Sequence, residues 1–289
     1  MKLPSPARAR LAIRKIIWGV QQVGARRVGL GLGRYLLMVA RRPAQATVTS
    51  HRDRLIISFR FPSQLIPTLV VFGDLMDPEL AVLTHALGPG RLAVDVGASI
   101  GTWSMMAART GATVHAYEPD PDNVDVLRGN LRANGLFDAV TIHDVAVGSH
   151  RGRVALQLNP RKYLNQVTEV VDVEGIALTT LADVVNDIGA SFADVVKVNT
   201  AGHEAEVLMG ALPLFRDGRI GLAMFLDGIR LREALSVTLA DGALDKYSLA
   251  VVDGGRAMLV QPASLTTLDL GRLGPMNHYV MLQRRDLAG

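Results

Sequence analysis

Lys197, Asn199 and His203 lie close together in VVKVNTAGHEAEVLMG (Val195–Gly210), and Asp227 ends the next apolar run, GLAMFLDG. His203 directly precedes a helical pattern, EAEVLMGA. The positive end of such a helix favours a neutral imidazole, which can take a proton near neutral pH. The same position also suits a solvent-facing residue of a first turn. Lys197 can orient an acceptor or pair with Asp227, or it can serve only as a strand-end lysine in a structural ion pair. His115 and His143 fall on apolar strands and read as structural. The chain has no cysteine, which excludes disulfides, zinc thiolate sites and cysteine nucleophiles.

A second group of residues has the types and spacing of a nucleoside site. The apolar run Leu92–Val96 carries Asp95 and is followed by Gly97-Ala98-Ser99-Ile100-Gly101. This reads as a buried parallel strand meeting a tight turn, with glycines that permit close backbone approach. A helix, TWSMMAAR, follows. A second strand, TVHAYE, then ends at Glu118, about twenty residues after Asp95 in the spacing of a doubly wound sheet. In such a sheet a ligand sits past the carboxyl ends of the strands, at a helix N-terminus. An acid ending the second strand can accept hydrogen bonds from both ribose hydroxyls. A dinucleotide-binding loop would require G-x-G-x-x-G, and this loop lacks that third glycine.

These residues need a scaffold, and the composition permits one. The chain has 289 residues, 49% hydrophobic and 20% charged, enough for a sizeable core. Its net charge of +4 is unevenly placed. Ten Lys or Arg fall within residues 1–42, and no acid precedes Asp53, whereas the remainder has 21 bases against 27 acids. The body therefore gives no reason to expect a nucleic-acid surface. Ile13, Ile16, Ile17 and Val20 follow the spacing of a helical apolar face, with Arg8, Arg10, Arg14 and Lys15 on the other sides. A second run, VGLGLGRYLLMVA, is interrupted by Arg34 and is too short to span a bilayer. It also lacks the cleavage site of a signal peptide. Two readings of this arm stay open: helices that cover the body, or a basic amphipathic segment resting on an anionic membrane. TVTSHRDRLIISFRF reads as a hairpin turning at His51–Arg54.

Four segments together resemble the FkbM family of methyltransferases, over roughly residues 70–285. FGDLMDPELAVLTHALGPG (Phe72–Gly90) is similar to the helix leading into that fold. DVGASIG (Asp95–Gly101) resembles the family's DVGANIG, with Ser99 for the usual Asn. YEPDPDNVDVLRGNLRANG (Tyr117–Gly135) keeps the family's pair Asn130 and Asn134, and HDVAVGSHRG (His143–Gly152) resembles the segment beside the adenine. The resemblance implies S-adenosylmethionine as cofactor. It implies a cofactor site of Asp95, Gly97, Ala98, Ser99, Gly101, Glu118, Pro119, Asp120, Asn123, Asp144 and Val145. In that scheme Asp95 serves the cationic end of the methionine portion. Asp144 meets the exocyclic amine of the adenine and Val145 offers its backbone N–H. Asp120 and Asn123 close the adenosine pocket, although Asp120-Pro121-Asp122 also makes an ordinary helix start.

Against the family's K-I-D-V-E-G-A-E, the counterpart here is Lys197-Val198-Asn199-Thr200-Ala201-Gly202-His203-Glu204. Two carboxylates are thus absent, replaced by Asn199 and Ala201. A similar DVEG at Asp172–Gly175 precedes the helix LTTLADVV and is out of place. Asp227 stands where the resemblance implies an acid. Asn and Ala suit a hard cation poorly, so no metal is expected. His203, Lys197, Asn199 and Asp227 are the expected catalytic set.

The expected fold is a doubly wound α/β sheet of the Rossmann-like methyltransferase type. It would have seven strands, mostly parallel, with the last antiparallel. Residues 1–69 would form a helical and hairpin extension and residues 70–289 the methyltransferase domain. The expected reaction is methylation of a hydroxyl on a sugar, glycolipid or natural product. The expected partners are a small-molecule or lipid-linked glycan acceptor, no nucleic acid, a membrane surface met peripherally through residues 1–42, and a second copy of the chain. The expected location is cytoplasmic, with a seat on the inner membrane face as the open extension of that reading. A relative that binds the cofactor without catalysis is the competing expectation.

Overall fold

The structure, a computed structural model, describes residues 6–50, 54–73, 83–157, 166–169, 175–253, 256–260, 275 and 277–287. Most of the expected helix within Phe72–Gly90, the turn at His51–Arg54, the DVEG stretch and the loop at 261–277 fall largely outside them.

The chain opens with two helices, α1 (Pro6–Val23) and α2 (Ala25–Arg41), and a hairpin of β1 (Gln45–Thr49) and β2 (Ile56–Arg60). A short helix, α3 (Pro67–Phe72), leads into the body. There β3 (Leu92–Val96), α4 (Thr102–Arg109), β4 (Thr113–Tyr117), α5 (Pro121–Ala133) and β5 (Val140–His143) form the first half of the sheet. A smaller sheet follows, made of β6 (Ala146–Gly148), β7 (Gly152–Gln157), β8 (Gln166–Glu169) and β9 (Ile176–Thr180). The second half comprises α6 (Leu181–Asp187), β10 (Ala193–Val198), α7 (Glu204–Asp217), β11 (Ile220–Leu226), α8 (Ile229–Ala240), β12 (Tyr247–Asp253), β13 (Arg256–Leu259) and β14 (Tyr279–Arg284).

The main sheet runs β13-β12-β14-β11-β10-β3-β4-β5. β5, β4, β3, β10 and β11 are mutually parallel, and β14 enters antiparallel between β11 and β12. Seven of these strands are the expected doubly wound sheet with its antiparallel last strand. The eighth, β13, is a hairpin extension of β12. The central strands are buried on both faces, which explains their near-continuous apolar sequence. Alternate residues of β3 separate into two cores. Ala93 joins Trp103, Met105, Leu127 and the hairpin residues Ile57 and Phe59 on one face. Val94 and Val96 join Leu181, Val207, Phe215 and Phe225 on the other.

Two helices begin where their sequences provide side-chain caps. Asp120 accepts the N–H of Asp122 at 2.9 Å, ahead of Pro121 in the first turn of α5. Thr180 caps α6 through the N–H of Asp183 at 3.0 Å. The N-terminal helices are positioned by absent side chains. A Cβ on Gly31 of α2 would lie 2.1 Å from the carbonyl oxygen of Val71, and one on Gly19 of α1 would lie 2.2 Å from the Phe72 ring. Gly29 and Gly33, by contrast, face open space. Among the described residues no helix is long and apolar enough to cross a membrane.

Asn130 of α5 and Asn134, which caps its C-terminal end, dock the hairpin. Asn134 takes the N–H of Ile56 at 2.8 Å and returns a bond to its carbonyl at 2.8 Å. Asn130 does the same for Ser58 at 2.8 and 3.0 Å. An i, i+4 step along a helix rises about 6 Å, and two residues of a strand rise about 7 Å. The two side-chain amides therefore meet alternate residues of β2 and replace a neighbouring strand at its edge. Asn130 also donates to the carbonyl of Ile100 at 2.8 Å, which ties the hairpin to the glycine loop.

Candidate active site

The ends of β3, β4, β10 and β11 lie side by side at one edge of the sheet, as the parallel register requires. The glycine loop follows β3. Gly97 has φ 75°, and a Cβ there would lie 1.9 Å from the carbonyl oxygen of Asn199. The loop thus closes directly on the end of β10, and only glycine allows it. Gly101, with φ 87°, opens α4 against Leu127. Ser99 also has a positive φ, 51°.

Glu118 follows β4 and organises this half. Its Oε2 accepts the N–H of Ser99 at 2.7 Å. Its Oε1 accepts the N–H of Asp120 at 3.0 Å and Nδ2 of Asn123 at 3.2 Å. Burial pushes its carboxyl above the usual glutamate value, and these three bonds pull it back. A carboxylate offers roughly four lone-pair sites. Three are occupied, so Oε2 retains room for about one further donor, such as a single ribose hydroxyl rather than the expected two. The donor set therefore fits a nucleoside-bearing cofactor. Asp120 and Asn123 are buried around this carboxylate, Asp120 as a helix cap and Asn123 through a bond from Gln64 at 2.9 Å. Ala98 is buried, while Pro119 and Val145 are half-buried. Asp144 is exposed and pairs with Arg128 at 3.2 Å.

Asp95 and Lys197 form one buried unit. Lys197 Nζ lies 2.9 Å from Asp95 Oδ1 and donates to the carbonyl of Gly97 at 2.9 Å. Ser104 donates to Asp95 Oδ2 at 2.6 Å. Asp95 is fully buried, so it reaches a ligand through the loop it pins and not by direct contact. The pair is satisfied on both sides, which is what makes a buried ion pair tolerable.

The expected pairing of Lys197 with Asp227 does not form. Asp227 follows β11 and is clamped by Arg232, one turn into α8, at 2.7 Å from Nε and 2.6 Å from Nη2. Both side chains are buried. Nothing in the one-dimensional pattern marked Arg232, because five residues separate it from Asp227 across a helix start. Bidentate Arg–carboxylate geometry is strong and fixes both partners. The consequence is that neither Lys197 nor Asp227 presents a free charge.

The segment Asn199–His203 forms the remaining lip. Asn199 is half-buried and its Nδ2 lies 3.3 Å from the Tyr279 hydroxyl. Ala201, where the family has a carboxylate, has φ 56°. Glu204 folds back to accept the N–H groups of Thr200 at 2.8 Å and Gly202 at 3.1 Å. His203 is the N-cap residue of α7 but makes no capping bond, and its Nδ1 is buried without a hydrogen-bond partner. Among the described residues no group of three or more His, Asp or Glu could hold a metal ion.

His115 and His143 lie beneath this edge. His115 Nδ1 is 3.0 Å from His143 Nε2, and His143 stacks on Tyr117 with ring centroids 4.3 Å apart. Burial, and then the neighbouring His143, lowers the His115 pKa from 6.5 to about 4.

Residues 95–230 match the methyltransferase FkbM domain. Over 120 residues the chain is 33% identical to the hexuronic acid methyltransferase AglP of Haloferax volcanii, covering 40% of this chain and 48% of that protein. The chain thus spans about half the length of the curated relative it matches. Methyltransferase FkbM from Methylobacillus flagellatus KT covers 76% of this chain and 56% of its own, at 16% identity and TM-score 0.43. The N-terminal domain of human METTL16, in complex with SAH, covers 76% of this chain and 71% of its own, at 14% identity and TM-score 0.41. The match to the methyltransferase FkbM domain is thus confined to residues 95–230, the segment that carries the glycine loop, Glu118, Lys197 and Asp227.

Proposed function

We propose that the chain is an S-adenosylmethionine-dependent O-methyltransferase acting on a hydroxyl of a sugar, glycolipid or natural product. The observation that carries this reading is Glu118, which follows β4 beside the glycine loop and has one hydrogen bond on Oε2 and two on Oε1. When bound, S-adenosylmethionine would supply an electrophilic methyl group on a sulfonium. The chain's own contribution is alignment, fixed by Gly97 against Asn199 and by the Asp95–Lys197 pair. An acceptor hydroxyl must also lose a proton. With Lys197 and Asp227 already paired, His203, whose Nδ1 is buried without a hydrogen-bond partner, is the local candidate to take it. A hexuronic acid methyltransferase among the relatives supports a sugar acceptor. The cysteine-free chain suits a reducing cytoplasmic setting.

A second reading has its own observation. Asn199 and Ala201 remove two family carboxylates, and the remaining charges near the cleft are neutralised by partners. On this reading the protein binds the cofactor and acts as a scaffold.

Calorimetric titration with S-adenosylmethionine and S-adenosylhomocysteine, beside a Glu118→Gln variant, tests the first claim. Micromolar binding that the variant weakens is expected, followed by turnover in a screen of hexuronic acids and their glycans. Binding without turnover across that screen would favour the scaffold. No binding by folded protein would overturn both readings.

A further inference from the structure

Beyond the cleft, the N-terminal helices carry a surface that the fold does not use. α2 docks on α3 through Val28 and Gly31, both buried. On its opposite side, Arg26, Leu30, Arg34, Leu37 and Arg41 follow one another at steps of four, four, three and four residues. That spacing sets them in one stripe along the helix. All three arginines are exposed, Leu30 is 58% exposed and Leu37 50%. α1 repeats the arrangement. Gly19 faces Phe72, while Ile13, Ile17 and Val20 point away from it and are exposed, with Arg10 exposed beside them.

The apolar face expected on α1 is therefore not the face that packs on the body. It is turned outward, and on α2 leucines alternate with arginines. Together these exposed aliphatic side chains give both helices an outward apolar face flanked by basic residues.

We infer that α1 and α2 form a docking surface for an anionic lipid bilayer. Leu30, Leu37, Ile13 and Ile17 would enter the headgroup–acyl boundary, and the flanking arginines would meet lipid phosphates. Charge decides between this occupant and a second copy of the chain. An isologous contact would set this face against itself, arginine against arginine. Residues 1–42 hold ten bases and no acid, so such a contact has no carboxylate to relieve it. A bilayer rich in anionic headgroups complements the same surface. The surface is independent of the chemistry in the cleft, and it would hold that cleft near lipid-linked substrates.

The test is co-sedimentation of the full chain with vesicles of phosphatidylcholine alone or mixed with phosphatidylglycerol. Binding to the mixed vesicles alone, weakened by raised salt, is expected. Each basic residue near an anionic surface contributes roughly fivefold in partition. Arg26→Glu, Arg34→Glu and Arg41→Glu together should therefore reduce binding by at least about a hundredfold. Leu30→Ser with Leu37→Ser should also weaken it while all charges remain. Arg109→Glu, a reversal at an exposed position of α4 in the body, should leave binding unchanged. All substituted side chains are exposed, so folding is preserved and is checked by circular dichroism. Three results would each overturn the inference: no vesicle binding, equal binding to both vesicle types, or a solution dimer that the leucine substitutions dissociate without any vesicle binding.

Discussion

The two halves of the candidate site are built differently. At the ends of β3 and β4 the side chains are locked and complete. Glu118 holds Ser99, Asp120 and Asn123, Asn130 ties Ile100 to the hairpin, and Gly97 leaves no gap before Asn199. At the ends of β10 and β11 the charges are paired with one another's neighbours rather than directed at a ligand. Lys197 turns back to Asp95, and Asp227 is held by Arg232. His203 keeps a buried Nδ1 without a hydrogen-bond partner there. Binding geometry is thus concentrated in one half, and the other half has little more than position and one imidazole to offer.

The sharpest way to break this contrast is to damage the unit that joins the halves. Lys197→Met leaves Asp95 buried and without its cation, at a cost of roughly 3–5 kcal/mol in denaturant unfolding. Adding Asp95→Asn should recover part of that loss. A Lys197→Met protein as stable as the parent would mean the pair is not structural. His203→Ala tests the acceptor half. If the imidazole takes the proton, kcat falls by about a hundredfold or more with cofactor affinity unchanged. A change under about twofold would remove the histidine from the chemistry.

Asn130→Ala tests the cofactor half. It removes three hydrogen bonds, to Ser58 N–H, Ser58 C=O and Ile100 C=O. The expected cost is about 2 kcal/mol, since each such bond contributes roughly 0.5–1.5 kcal/mol. Weaker cofactor binding should accompany it, because the loop loses its anchor. Unchanged affinity would separate the hairpin from the loop.

The smallest effect is with pH. His115 is held neutral in the fold, its pKa lowered from 6.5 to about 4. Between those values the unfolded chain binds more protons than the folded one. Stability is therefore fully present above pH 6.5 and declines as pH falls toward about 4. Thermal unfolding of His115→Asn should show a shallower decline over that window. Parallel curves would assign the acid limb to other groups.

Much of the fold was legible along the chain, because local signals were consistent. Apolar runs ending in Gly or an acid, Pro after a capping Asp, and the order of strands all pointed to one doubly wound sheet. The placement of the glycine-loop half was legible for the same reason: Gly97, Gly101 and Glu118 are set by backbone shape and strand position, which spacing encodes. The acceptor half was not. Whether Lys197 met Asp95 or Asp227 depended on register, since β10 adjoins both β3 and β11 but sets Lys197 opposite Asp95, 102 residues away in the chain. The role of Asn130 and Asn134 was hidden likewise, since their partners lie 72 and 78 residues earlier.

By itself the sequence determined the sheet, the glycine loop and the location of charge, because each is written in local residue type and period. Only the tertiary structure decided which charges are free, which face of α1 is turned outward, and which of the three glycines in α2 is required. Those outcomes depend on the neighbours a side chain meets, and in this protein the neighbours come from distant strands and helices.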